Sequence, residues 1–473
     1  MNVHFVYTNI SGFHFDTYHF GLASIVAVTR EAGHDVKVAI VDTEEEIEEK
    51  VDQIVANNPR VLGLTAVSSQ YSYVMKIASM VKARLPEIVI VCGGVHPTIS
   101  SNSLLESDAI DGFFIGESEH AFVEFLKNVE AGRDYRRTDN FAYREGGKVV
   151  KNKVKPLIQN LESLPFADRE AYPYQQTLEK VGHAPFFFSR GCPFLCTYCA
   201  NHALAGVYGK RTNPVRDRSP ESCIQEIEHV LDMYDVKAIS VEDDVFGLNK
   251  KWRREFLSLY NERIRPRGVK FMCLLRVELA SEEFISELAN AGCSQIFFGV
   301  ESGDEEIRTK MMARRMSNDQ IIDAFDRCHR YGINTLAVNI IGIPGESKKQ
   351  IWNTIKLNRR IKPTVSAVNI FYPYKGTVLG DQCFNDGMVD EEKFKRFSNE
   401  RRDTVLNFPA SHRKALMRYQ KYWPLLVDPF NGRKWAIFLL QSVGLFEFVR
   451  QTKHAVEDLW VKDRAGELVS STK

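Results

Sequence analysis

The chain has 473 residues, enough for two or three domains with substantial cores. Its 62 basic and 61 acidic residues leave a formal charge of +1, so no global field draws it to nucleic acid or to an acidic membrane, and no nucleic-acid partner is expected. A hydrophobic share of 44% and a charged share of 26% are those of an ordinary soluble globular protein.

The opening residues, MNVHFVYTNI, read as a β-strand. They lack the basic start and long apolar core of a secretory signal, so a cytoplasmic location is expected. Strand patterns at Val3–Thr8, Asp35–Val41, Arg60–Val67, Ile88–Cys92 and Gly112–Ile115 alternate with helical patterns near His19–Glu31, Glu44–Ala56, Tyr71–Arg84 and Glu119–Glu130. Near-continuous Val/Ile runs such as EIVIVCGG suit strands buried on both faces, hence a parallel sheet. Five such strands predict a flavodoxin-like doubly wound domain over residues 1–130. Ligands of such sheets sit beyond the carboxyl ends of the strands, where this chain carries Thr65-Ala66-Val67 and Gly93-Gly94. The pocket is placed, but its occupant is not named. Residues 131–182, with GRDYRRTDN, an EGGK turn and LESLPFADREAYP, predict a connecting arm.

From Pro185 the alternation restarts and runs for six units, with strands at Pro185–Arg190, Lys237–Glu242, Val269–Leu275, Gln295–Glu301, Asn334–Ile341 and Val365–Tyr372. Helices begin near Ser219, Asn249, Ser281, Ser317 and Ser347; two carry S-x-x-Q capping boxes, and Ser219-Pro220 supplies a cap followed by a helix-starting proline. Six parallel units over residues 183–380 predict an α/β partial barrel, (β/α)6 of the TIM type, open on one side. Barrel active sites lie at the carboxyl ends of strands. Those ends carry Arg190, Glu242 with Asp243 and Asp244, Arg276, Glu301 with Ser302, and the loop Gly342–Glu346. Residues 381–473 turn basic, helical and aromatic, and are expected to form a cap that carries substrate specificity. Within them, Trp435–Val449 is too short to span a bilayer and is interrupted by Gln441, Ser442 and Glu447. It reads as a docking helix, with a membrane-surface helix as the alternative.

Six of the nine cysteines are isolated: Cys92, Cys223, Cys273, Cys293, Cys328 and Cys383. The other three, Cys192, Cys196 and Cys199, stand as C-x3-C-x2-C in RGCPFLCTYC, directly after a strand. In a chain without an export signal such a cluster means metal or redox chemistry rather than disulfides. Two readings fit. Zinc wants four ligands, and His202 downstream could complete them, making the chain a zinc-stabilised, non-catalytic binding protein. Alternatively, three thiolates hold one face of an iron–sulfur cubane and leave one iron open. An open iron can coordinate the amino and carboxylate groups of a methionine moiety and pass an electron to its sulfonium, releasing a 5′-deoxyadenosyl radical.

RGCPFLCTYC resembles the signature of the radical S-adenosylmethionine superfamily, including the aromatic residue before the third cysteine. The resemblance implies a 4Fe–4S cluster on the three cysteines, an external one-electron reductant, and Tyr198 against the adenine. It further implies Asp243 and Asp244 at the methionine amino group, although the usual Gly-Gly-Glu is absent. Arg276 would meet the carboxylate, Glu301 and Ser302 the ribose or methionine end, and the Gly342–Glu346 loop would border the adenine.

GLASIVAVTREAGHDVKV, LGLTAVSSQY, VCGGVHPTIS and IGESEHAF resemble the N-terminal domain of the cobalamin-binding class of these enzymes. By that resemblance Thr65, Gly93, Gly94 and His96 would flank cobalamin. The D-x-H-x-x-G string of histidine-ligated cobalt is missing; the nearest match, Asp16 to Gly21, has a different spacing. Cobalamin without a histidine ligand is therefore expected. The function implied is methyl transfer to an unactivated carbon of a small molecule or natural product. Oxidative cyclisation, rearrangement or C–C bond formation with the same cofactors is the alternative.

Overall fold

The computed structural model describes residues 1–10, 18–210, 214–396, 400–430 and 432. In the first part, β1 (Asn2–Thr8), β2 (Asp35–Val41), β3 (Val61–Thr65), β4 (Val89–Gly93) and β5 (Gly112–Phe114) form a parallel sheet in the order β2-β1-β3-β4-β5. This is the flavodoxin-like order, with its switch point between β1 and β3. Consecutive strand residues point to opposite faces: Phe5 packs with Val91 and Phe122, whereas Val6 packs with Leu62, Ile77 and Ile90. Both faces are therefore buried, which explains the unbroken apolar runs.

The stretch expected to be only a connecting arm adds two strands to this sheet. β6 (Phe141–Glu145) and β7 (Lys148–Lys151) form an antiparallel hairpin on β5. Its turn is Gly146-Gly147, both at positive φ (57° and 73°), the backbone that two-residue hairpin turns require.

The second sheet contains β8 (Ala184–Phe186), β11 (Ala238–Val241), β12 (Lys270–Leu275), β13 (Cys293–Glu301), β14 (Asn334–Ile341) and β15 (Val365–Ile370), all parallel and in that spatial order. The expected strand Pro185–Arg190 breaks after Phe186, and its end, β9 (Ser189–Arg190), pairs antiparallel with β10 (Arg216–Asp217). Local chemistry starts the helices between these strands. Ser219 accepts the Ser222 N–H, Ser281 accepts the Phe284 N–H, and Ser317 and Ser347 each close a capping box.

The helix Ala410–Val427 lies against β15 and the helix Lys348–Ile361, with Leu416 and Trp423 buried and the Trp423 Nε1–H donating to Ser366 Oγ at 2.8 Å. The Trp435–Val449 stretch lies outside the described residues. Among the described residues no helix is long and apolar enough to cross a membrane.

Candidate active site

β9 and β10 pinch together the base of the loop that carries the three cysteines. Cys196 is buried; Cys192 and Cys199 are half-buried. Burial pushes the Cys199 thiol up to about 12 and raises that of Cys192, so a strong cation is needed to hold either as thiolate. The three sulfurs are close enough to feel one another's charge. Yet among the described residues no three His, Cys, Asp or Glu side chains converge as ligands of a single ion. Three thiols on one short loop can each bind a separate iron of a cluster.

The strand ends place most of the expected residues around this loop. Arg276, just beyond β12, donates from Nη1 to Cys196 Sγ at 3.3 Å and lies 3.7 Å over the Phe194 ring. Its Nη2 is held by Glu278, while its buried Nε has no hydrogen-bond partner among the described residues. Glu301 ends β13 at φ 65°, a left-handed backbone that is costly for a side chain with a Cβ. A bulge between Gly299 and Glu301 accompanies it. Its carboxylate faces Arg314 at 3.5 Å, and Arg314 also donates to Tyr198 Oη at 3.4 Å and to the Gly299 carbonyl at 2.7 Å. Arg314 thus joins two expected site residues. Nothing in the sequence marked it, because it lies in a loop with no periodic pattern.

Other residues turn elsewhere. Asp243 is buried, and its Oδ1 accepts the N–H groups of Phe188 (2.7 Å) and Ser189 (3.1 Å). Burial pushes its carboxyl up to about 7, although those two donors pull it down. Asp243 therefore ties β11 to the start of the cysteine loop. Asp244 is reached by solvent although protein surrounds it; those surroundings raise its carboxyl, and Asn201 opposes the rise. The Ser302 hydroxyl is taken up by Thr354 and the Asp304 N–H, inside the loop rather than at the cavity. Glu346 is buried; its Oε2 accepts the Gly342 N–H at 2.7 Å and its Oε1 has no partner among the described residues.

Two cavities lie where the first sheet meets the barrel. One, of about 420 Å³, sets Tyr198 and Cys199 opposite the switch point of the first sheet, where Thr8, Asn9, Thr65 and Ser68 line it. The buried Thr8 Oγ1 and Asn369 Oδ1 on its wall have no partner among the described residues, so each would accept or share a hydrogen with a polar ligand. The other, of about 380 Å³, runs from Gly63, Gly93 and Gly116 to Ser189 and Arg190. Thr65 borders both cavities.

Gly93 keeps the second cavity open: a Cβ there would meet only Phe114 Cβ, at 3.8 Å. Gly94, at φ 102°, is needed for a different reason, since a Cβ would stand 2.8 Å from the Ala66 carbonyl oxygen. Polar atoms without a partner on one cavity and glycine on the other suit a ligand that carries amides and approaches the backbone closely. His96 is no part of that surface. Its ring lies 4.3 Å from that of Tyr71, tilted by 31°, and its ring nitrogens bond Ser68 Oγ (3.1 Å) and Ser103 Oγ (2.9 Å). Burial lowers its pKa to about 4. His19, which lines both cavities, uses Nδ1 to cap its helix at the Leu22 N–H.

Residues 186–357 match the radical SAM superfamily model, and residues 8–126 match the B12 binding domain model. An uncharacterised methyltransferase of Pyrococcus horikoshii is 29% identical over 385 residues, covering 80% of this chain and 81% of that protein. The anaerobic magnesium-protoporphyrin IX monomethyl ester cyclase of Rubrivivax gelatinosus is 26% identical over 362 residues, 73% of this chain and 62% of that protein. The fold resembles that of the radical S-adenosylmethionine methyltransferase TsrM from Kitasatospora setae, solved with cobalamin and a [4Fe-4S] cluster. The TM-score is 0.69 at 15% identity, over 81% of this chain and 75% of that one.

Proposed function

The chain belongs to the cobalamin-binding-domain class of the radical S-adenosylmethionine superfamily, and on that footing we propose that it transfers a methyl group to an unactivated carbon of a small molecule or natural product. The observation that carries this reading is the 420 Å³ cavity in which Tyr198 and Cys199 face the switch point of the first sheet. One substrate carbon held there would lie between two cofactor sites. When bound, the 4Fe–4S cluster supplies the electron that cleaves S-adenosylmethionine, and cobalamin supplies the methyl carrier.

In this reading Cys192, Cys196 and Cys199 hold the cluster. Arg276 stabilises the charge on Cys196 and offers its unpaired Nε–H to a carboxylate. Tyr198 and Glu301 meet the adenosyl portion, with Arg314 fixing both. Asp244 is the carboxyl open to a polar ligand, whereas Asp243, Ser302 and Glu346 act by shaping their loops. Thr65 and Gly93 border the room for the corrinoid, Gly94 lets the backbone turn beside Ala66, and His96 pins the loop behind them.

The test is anaerobic reconstitution with iron, sulfide and cobalamin, followed by incubation of candidate substrates with methyl-labelled S-adenosylmethionine. Label in product together with 5′-deoxyadenosine is expected. Product without label would overturn methyl transfer in favour of cyclisation, rearrangement or C–C bond formation, the alternative favoured by likeness to the cyclase. A Cys196→Ala variant that keeps cluster and activity would overturn the whole reading.

A further inference from the structure

The loop carrying the three cysteines is held from outside its own sheet. At its base Arg190 of β9 faces Arg216 of β10, two guanidinium groups that repel unless neutralised. The neutralising charges come from the first sheet, from Glu117 and Glu119 just beyond β5. Arg216 donates to both carboxylate oxygens of Glu117, at 2.8 and 2.6 Å. Arg190 donates to Glu119 Oε1 at 2.7 Å, an oxygen that also accepts from Ser24 at 2.9 Å, and stands 3.8 Å from Glu117. On the far side of the loop Tyr208 accepts the Glu117 N–H at 2.7 Å, its ring packed where a Cβ on Gly116 would collide. The Arg216 and Glu119 side chains are only 5% and 6% exposed, so these are shielded, charge-assisted contacts rather than weak surface pairs.

The segment Gly116–Glu119 has a second role, because with Arg190 it also lines the 380 Å³ cavity. Whatever fills that cavity bears on the residues that hold the cysteine loop. We propose that Glu117 and Glu119 are positioning residues for the cluster loop, and that through them corrinoid binding in the cavity and cluster assembly favour each other. The proposal rests on the cofactor reading above. A corrinoid in the cavity and a cluster on the loop would both favour the arrangement in which Glu117 and Glu119 hold Arg216 and Arg190, so each would tighten the binding of the other, and the effect is reciprocal.

The experiment measures the dissociation constant of hydroxocobalamin for the full-length chain, anaerobically, with and without the reconstituted cluster. Binding at least about fivefold tighter with the cluster is expected in the wild type. In the Glu117→Gln/Glu119→Gln variant the ratio should collapse towards one and the electron paramagnetic resonance lines of the reduced cluster should broaden. Arg216→Lys, which keeps the charge, should retain part of the ratio. If the paired variant does not fold, Tyr208→Phe, which removes only the acceptor of the Glu117 N–H, should lower the ratio. An unchanged ratio in the variants, or a ratio of one in a wild type that binds both cofactors, overturns the coupling alone. A wild type that binds no cobalamin or assembles no cluster overturns the cofactor reading and the coupling with it.

Discussion

Arg276 reaches Cys196 across the barrel mouth, Nη1 to Sγ 3.3 Å, with its guanidinium carbon 3.7 Å over the Phe194 ring. A donor and a positive charge at a cluster sulfur favour the reduced, more negative state. Arg276→Met should therefore make the cluster harder to reduce, which a redox titration followed by electron paramagnetic resonance would show as a lower midpoint. The same change removes the Nε–H that, in the proposed function, meets the S-adenosylmethionine carboxylate. Loss of one such charged hydrogen bond is worth about 1.5–3 kcal/mol, so Kd for S-adenosylmethionine should rise roughly 10- to 100-fold by equilibrium dialysis. An unchanged midpoint and Kd would place Arg276 outside the site.

Gly93 and Gly94 are adjacent but should fail in opposite ways. A side chain at 93 has room, and the room it takes is the cavity. Gly93→Leu should fold normally and bind cobalamin at least tenfold more weakly. Gly94→Ala meets the Ala66 carbonyl at a positive φ and should cost about 1–3 kcal/mol of stability. Urea unfolding and cobalamin titration of both variants separate the two effects; equal effects on stability would contradict the cavity assignment.

These glycines show what a single sequence discloses. Periodicity placed β1 to β5 and the barrel strands because burial on both faces is written in local residue order, and the caps at Ser219, Ser281, Ser317 and Ser347 are equally local. The cysteine spacing was legible because one short loop carries all three thiols. Contacts between distant residues were not. The Asp243 carboxylate is spent on Phe188 and Ser189, and Ser302 on Thr354, so strand-end position alone overstated their access to the cavity. Arg314, Glu117 and Glu119 escaped for the converse reason, since each acts on partners far away in sequence. The β6–β7 hairpin announced its turn but not its strands, whose pairing partner is the edge of β5.

Glu301 and Arg314 form a shielded pair, and breaking such a pair leaves a buried charge uncompensated. Arg314→Met should cost about 3 kcal/mol or more, whereas adding Glu301→Gln should recover part of that loss. A double-mutant cycle in urea measures the coupling directly. Strict additivity would show that the 3.5 Å contact carries no net energy.

The buried Glu346 carboxyl predicts a pH dependence whose sign can be worked out. Burial pushes its pKa from 4.5 to about 8, against the pull of the Gly342 and Ile343 N–H groups. Between those values the folded chain keeps the proton and the unfolded chain has released it, so the unfolded state binds fewer protons. Stability from this group therefore falls as pH rises through the window, and the loss is complete above about 8, bounded at roughly 5 kcal/mol. Glu346→Gln keeps an oxygen for the Gly342 N–H and abolishes the titration. Its melting temperature should match the wild type near pH 5 and exceed it increasingly towards pH 8.5. Parallel melting curves across that range would mean that Glu346 is ionised in the fold and has its missing partner at Oε1.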